Sequence, residues 1–151
     1  ALQSNLKKIG VESRVMTAIS INRVAEPYIK NKASNHLDKN RVVIFASGTG
    51  NPFFSTDTAA VLRASEMKSD VIFKGTKVDG IYDKDPINNS DAIKIPEISY
   101  SDYLNKDIKV MDATAISLAK DSLLPIIIFS IMKSSNILDI VEGKGAYSII
   151  K

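Results

Sequence analysis

The sequence predicts an α/β fold in which helices flank a mainly parallel sheet. Two unbroken apolar runs, Arg41-Val-Val-Ile-Phe-Ala46 and Pro125-Ile-Ile-Ile-Phe-Ser-Ile131, read as strands buried on both faces. Such runs alternate along the chain with stretches of helical pattern. Polar, glycine-bearing loops follow the strands at their carboxyl ends, where open α/β sheets bind ligands. A length of 151 residues suits one ordinary domain.

The elements follow in order. Residues 1–10 read as the back half of a helix: Leu2, Leu6 and Ile9 share a face, Lys7 and Lys8 sit in the last turn, and Gly10 is placed to end it. No capping residue precedes this helix, so a further segment is expected upstream. Residues 14–19 form a strand. Glu26-Pro27 is expected to open a helix running to about Leu37, with Pro27 in its first turn. The strand at 41–46 comes next, then a helix over 56–67 that begins at Thr56 or Asp57. A strand is expected over 70–74. Residues 77–109 are irregular, punctuated by Pro86, Asn88-Asn89 and Pro96, with one short helix at 101–105. A helix over 113–123, a strand over 125–131, a helix over 135–141 and a strand over 146–150 complete the chain.

Composition narrows the function classes. Lys and Arg total 20 against 17 Asp and Glu, a net charge of +3 that is too small to argue for nucleic acid or a charged membrane. Residues 1–50 hold 8 basic and 3 acidic side chains, spread over helices as a solvated face. The absence of cysteine excludes disulfides and thiolate metal sites, and fits a reducing compartment. No apolar run approaches the roughly 20 residues of a membrane span.

The loop at 47–57 reads Ser-Gly-Thr-Gly-Asn-Pro-Phe-Phe-Ser-Thr-Asp. Gly48 and Gly50 let backbone approach a ligand. Thr49, Asn51, Ser55 and Thr56 bring hydroxyl and amide groups, and the following helix start suits phosphate. It is neither a Walker loop nor a dinucleotide fingerprint, because the Gly-Lys-Ser/Thr and the third glycine are both missing. Phe53-Phe54 in a polar loop needs a base, a neighbouring subunit or the core to pack on. Asp57 complements the helix dipole, or orients a cationic group or a metal beside bound phosphate. The second loop, residues 74–86, reads Lys-Gly-Thr-Lys-Val-Asp-Gly-Ile-Tyr-Asp-Lys-Asp-Pro. There Thr76 can hydrogen-bond a ligand, Tyr82 can stack on a base, and Asp85 can accept from an amine or a ribose hydroxyl. Asp79-Gly80 and Asp85-Pro86 also fit turn chemistry.

Gly48-Thr-Gly-Asn-Pro-Phe-Phe-Ser-Thr-Asp57, Lys74-Gly-Thr-Lys-Val-Asp-Gly-Ile-Tyr-Asp-Lys-Asp-Pro86 and Val110-Met-Asp-Ala-Thr-Ala115 together resemble the bacterial UMP kinase (uridylate kinase) family of the amino-acid kinase superfamily. The resemblance runs the length of the chain. It implies a three-layer αβα sandwich of the amino-acid kinase (carbamate kinase-like) fold, of which residues 1–151 are a single partial domain resembling the later two-thirds. It implies transfer of the ATP γ-phosphoryl group to UMP, giving UDP and ADP in pyrimidine nucleotide biosynthesis. Thr49, Gly50, Asn51, Pro52, Phe53, Phe54, Ser55 and Thr56 match the segment that wraps UMP. Ser55 stands where many members have Thr and keeps the hydroxyl. Thr76, Tyr82 and Asp85 match positions that hold the ATP adenosine. Asp57 matches an aspartate that organises phosphate-binding lysines in related kinases, and is the candidate catalytic residue. Members need Mg²⁺, are cytoplasmic, form hexamers, and often respond to GTP and UTP. No residue of this chain matches a metal ligand.

The family's Lys-x-Ser-Gly-type loop, its Gly-Gly-Gly-Asn-type loop and its acidic UMP-ribose contact are not in this sequence. These 151 residues alone are therefore expected to be inactive or nearly so. Two other readings stay open: a kinase of this superfold with another acceptor, such as N-acetylglutamate, and a non-catalytic nucleotide-binding or oligomer-forming module. Asp112 reads first as an N-cap, with a role near the phosphates as the alternative. His36 reads as a surface residue, and Met16, Met67, Met111 and Met132 as core fillers. Lys74 and Lys77 could approach phosphate, but sequence does not aim them.

Overall fold

A computed structural model describes residues 1–106 and 108–151. The chain divides into two compact units, Ala1–Lys68 and Ser69–Lys151.

The first unit contains α1 (Leu2–Lys8), β1 (Ser13–Thr17), β2 (Glu26–Pro27), α2 (Lys30–Leu37), β3 (Val42–Ala46) and α3 (Thr56–Glu66). Gly10, at φ +79°, ends α1 as expected: its N–H donates to Lys7 O at 3.1 Å and that of Val11 to Leu6 O at 2.9 Å. This paired closure satisfies two carbonyls that the helix leaves open. The sheet order is β2-β1-β3, parallel throughout, with Val15 opposite Ile44 and Thr17 opposite Ala46. Met16, Ala33 and Val61 are fully buried at its core.

Two expectations fail in this unit. Glu26-Pro27 opens no helix; it is a two-residue outer strand, and α2 begins at Lys30 after an extended Ile29. The N–H that pairs there belongs to Tyr28, which donates to Thr17 O at 2.8 Å. An edge position tolerates a proline, which has no N–H to donate. Nor is β3 buried on both faces: Val42 is 42% exposed and the rest of the strand is half-buried, in keeping with its place at an end of this sheet.

The second unit contains β4 (Ile72–Thr76), β5 (Ile81–Tyr82), β6 (Lys94–Ile95), β7 (Glu97–Ile98), α4 (Tyr100–Asn105), α5 (Ala113–Asp121), β8 (Ile126–Ser130), α6 (Asn136–Val141) and β9 (Tyr147–Ile150). Its main sheet has the order β4-β8-β9-β7, with β4 parallel to β8, β7 parallel to β9, and β9 antiparallel to β8. β5 and β6 form a separate antiparallel pair. The described strand pairings are thus mainly parallel, four of six. Ile116, Ile126, Ile128 and Ile150 are fully buried.

β4 lies two residues later than its expected start. Ile72 N–H donates to Pro125 O, and Ile131 N–H to Thr76 O, so the register with β8 sets its limits. Gly75 fits inside this strand because a side chain there would collide with Ile131, whose Cγ2 would stand 2.2 Å from an added Cβ. Among the methionines, Met16 and Met111 are buried and Met67 is half-buried, but Met132 is 75% exposed beyond the end of β8. His36 is not a free surface residue: its side chain is 16% exposed, with Nε2 3.3 Å from Glu26 Oε2 and Nδ1 3.3 Å from Arg41.

Candidate functional site

The first loop leaves β3 at its carboxyl end. Thr17 Oγ1, on the neighbouring strand, lies 2.9 Å from Ser47 Oγ, which ties the two strand ends together where the loop departs. Four residues of the loop are left-handed: Ser47 (φ 66°), Gly48 (φ 58°), Gly50 (φ 78°) and Phe53 (φ 67°). Gly50 N–H closes a turn on Ser47 O at 3.0 Å. A Cβ at Gly50 would stand 3.2 Å from both Cβ and O of Ala18, so glycine is needed for conformation and space alike. Thr49 Oγ1 accepts the Asn51 N–H at 3.1 Å.

The loop ends on α3, which begins at Thr56 as the sequence suggests. Ser55 is the N-cap, and its hydroxyl accepts the Thr58 N–H at 3.1 Å. Asp57 lies in the first turn, half-buried. Residues 51–56 are exposed, and Phe53 is 104% exposed and Phe54 53%. Within residues 1–68 the aromatic pair therefore does not pack into the core.

In the second unit, Tyr82 and Asp85 line a cleft of about 400 Å³. Val78, Pro86, Ile108 and Val110 give it apolar walls, and Asp83, Lys84, Lys106 and Lys109 give it a charged rim. Apolar walls with a few polar groups suit a base and its sugar. Asp85 organises its own turn: Oδ1 accepts the Ile87 N–H at 2.9 Å, Oδ2 accepts from Asn88 Nδ2, and its carbonyl accepts from Asn89. A carboxylate has about four acceptor positions, so capacity for a ligand remains. Tyr82 OH donates to Asp79 Oδ1 at 2.6 Å. Hydrogen bonds from Lys94 and then Tyr82 hold the Asp79 carboxyl below its usual range, and Asp79 in turn pushes the Tyr82 phenol up.

Thr76 does not line this cleft. Its hydroxyl donates to Val78 O at 2.6 Å and accepts the Val78 N–H at 3.0 Å, which shapes the turn leading to it. Asp112 is the N-cap of α5, accepting the Ala115 N–H at 2.8 Å, as read from sequence. The wall at Ile108, Lys109 and Val110 is what sequence reasoning missed. Its signal was the Val110-Met-Asp stretch, which read as a motif without an assigned position. Tyr103 supports that wall: its buried hydroxyl donates to Met111 O and accepts the Met111 N–H at 2.7 Å.

Among the described residues no three His, Asp or Glu side chains are grouped to hold a metal ion. Among them, too, no helix is long and apolar enough to cross a membrane.

Comparison with known proteins extends the geometry. The sequence pattern of the amino acid kinase family matches residues 1–130. The uridylate kinase of Wolbachia pipientis wMel is 56% identical over 149 residues, covering 99% of this chain and 60% of that protein. That of Roseobacter denitrificans is 53% identical over 151 residues, covering 62% of its own length. The chain therefore spans about 60% of the length of these curated relatives. The crystal structure of UMP kinase from Ureaplasma parvum superposes with a TM-score of 0.95 at 35% identity, covering 99% of this chain and 64% of that one. The UMP kinase structure from Bacillus anthracis gives 0.94 at 38% identity, covering 99% and 62%. With mainly parallel strands and interleaved helices, these likenesses show the αβα class that the sequence predicts.

Proposed function

The chain belongs to the amino acid kinase family, and we propose that it carries the acceptor-holding and adenosine-holding parts of a UMP kinase. The observation that carries this reading is the cleft at Tyr82 and Asp85, which has the size and lining for a nucleoside at the positions matched to ATP. Identities of 53–56% to uridylate kinases support the choice of acceptor. The reaction is transfer of the ATP γ-phosphoryl group to UMP, within pyrimidine nucleotide synthesis.

Phosphoryl transfer asks a protein mainly for in-line positioning and neutralisation of charge on the moving group. Residues 49–56 hold UMP: backbone at Gly50 approaches it closely, the hydroxyls of Thr49 and Thr56 meet its polar groups, and Phe53 or Phe54 covers its base. Tyr82 stacks on adenine, Asp85 accepts from the adenosine, and Thr76 fixes the turn that presents them. Asp57 orients cationic groups near the phosphates. Mg²⁺ enters with ATP as part of the substrate, held by phosphate oxygens. Assembly as hexamers, response to GTP and UTP, and residence in the cytoplasm complete the reading.

Titration calorimetry tests it directly. UMP and MgATP are expected to bind this chain, and N-acetylglutamate is not. Binding of N-acetylglutamate in preference to UMP would move the protein to another acceptor class. In the native gene product, UMP-dependent ADP release is the matching assay, and effector binding without turnover would make the protein a non-catalytic module.

A further inference from the structure

Tyr82 and Lys94 stand directly opposite each other in the β5–β6 pair, and Asp79 bridges them. Tyr82 OH donates to Asp79 Oδ1 at 2.6 Å, and Lys94 Nζ donates to Oδ2 at 2.8 Å. Each carboxylate oxygen thus has its own donor. The turn that carries Asp79 is fixed from below as well. Ile81 N–H donates to the hydroxyl of Ser148 at 2.9 Å, and Ser148 is fully buried. A Cβ at Gly80 would lie 2.5 Å from Ser148 Oγ and 2.6 Å from Lys94 Cε, so the lysine stem lies flat across the glycine. Asp79 is not part of the cleft lining, whereas Tyr82 is. Whatever Asp79 does for a ligand, it does through Tyr82.

We propose that Asp79 is a positioning residue for the adenosine cleft: with Lys94 it locks the Tyr82 ring in the orientation against which a purine stacks. The inference rests on the nucleotide reading above. An aromatic wall contributes most when its rotamer is settled before the ligand arrives, because ordering it on binding costs affinity. A tyrosine tethered at its hydroxyl meets that condition. The Asp79–Lys94 pair is partly exposed, with 44% and 26% of the side chains accessible. Such pairs add little to stability, so their loss is expected to appear in ligand affinity and to leave the fold intact.

The test uses Asp79→Ala, Tyr82→Phe and the double variant, titrated separately with MgATP and UMP. Asp79→Ala is expected to weaken MgATP by about tenfold and to leave UMP affinity unchanged. Tyr82→Phe keeps the ring and loses the tether, so its loss should match, and the double variant should be no worse than either single one. A ¹³C resonance of the Tyr82 phenol carbon adds a signature that general loosening does not produce: ionisation at lower pH in Asp79→Ala. Wild-type MgATP affinity in Asp79→Ala, or full addition of the two single losses in the double variant, overturns this inference alone. Absence of MgATP binding in the unsubstituted chain overturns the nucleotide reading together with it.

Discussion

Phe53 combines two features that a purely structural residue has no reason to combine: it is left-handed without being glycine, and it is 104% exposed. A left-handed backbone costs an ordinary side chain on the order of 1–2 kcal/mol. Phe53→Gly is therefore expected to leave chemical-denaturation stability unchanged or raised by up to about 1 kcal/mol, while weakening UMP binding. A loss above that size would make Phe53 a packing residue. Gly50→Ala should behave in the opposite way, losing about 1–2 kcal/mol, because φ is +78° and Ala18 crowds the site. At Asp79 the sign with pH follows from a depressed carboxyl, hydrogen-bonded first by Lys94. Its contribution is present above the ordinary carboxylate value of about 3.9 and is lost as pH falls through the lower folded value. An NMR titration of Asp79 in Lys94→Met should bring its midpoint back up. Individual residues of this kind were partly legible in the sequence. Gly50 and the Asp112 cap announce themselves through local chemistry. His36 and Asp79 do not, since each also has a partner 10 or more residues away, Glu26 and Lys94 respectively.

Among the elements, α3 is held at both ends by side chains. Its N-terminus is capped by Ser55. Near its C-terminus, the Arg63 guanidinium carbon lies 3.7 Å from the centre of the Tyr28 ring, and Arg63 and Tyr28 both donate to Glu66 Oε2. Arg63 is 8% exposed, so this is a largely buried charge with its partners satisfied. Removing one partner of such a group strands the other. Arg63→Ala is expected to cost about 3 kcal/mol in urea unfolding, and Tyr28→Phe only about 1 kcal/mol. Equal losses would show that packing, rather than charge pairing, holds the helix. Long elements were legible because periodicity accumulates over many residues. β5, β6 and β7 have two residues each, among prolines and asparagines, and show no period at all. Pro27 misled for a related reason: the same fixed φ suits a first helical turn and an edge strand.

For the molecule as a whole, ligand linkage is the sharpest measurement. A ligand that binds only the folded state at a hundred times its dissociation constant adds about 2.7 kcal/mol of stability. UMP and MgATP should each raise the unfolding temperature, and N-acetylglutamate should leave it in place. A rise with N-acetylglutamate alone would reverse the acceptor assignment. The αβα class was legible at this scale because buried parallel strands carry a strong compositional signal. The division at Lys68 into two compact units was not, since no linker composition marks it.

The hydroxyl pair of Thr17 and Ser47 and the cap at Ser55 bracket the first loop. In dynamic terms they are two fixed posts with a short span between them. Motion of the loop is then confined to residues 48–54, on the nanosecond-to-microsecond scale usual for loops. A ligand can gather this span without disturbing the strands or the helix. Amide exchange should show it as a boundary: slow at Thr58, where the N–H is held by Ser55, and fast at the exposed Phe53 and Phe54.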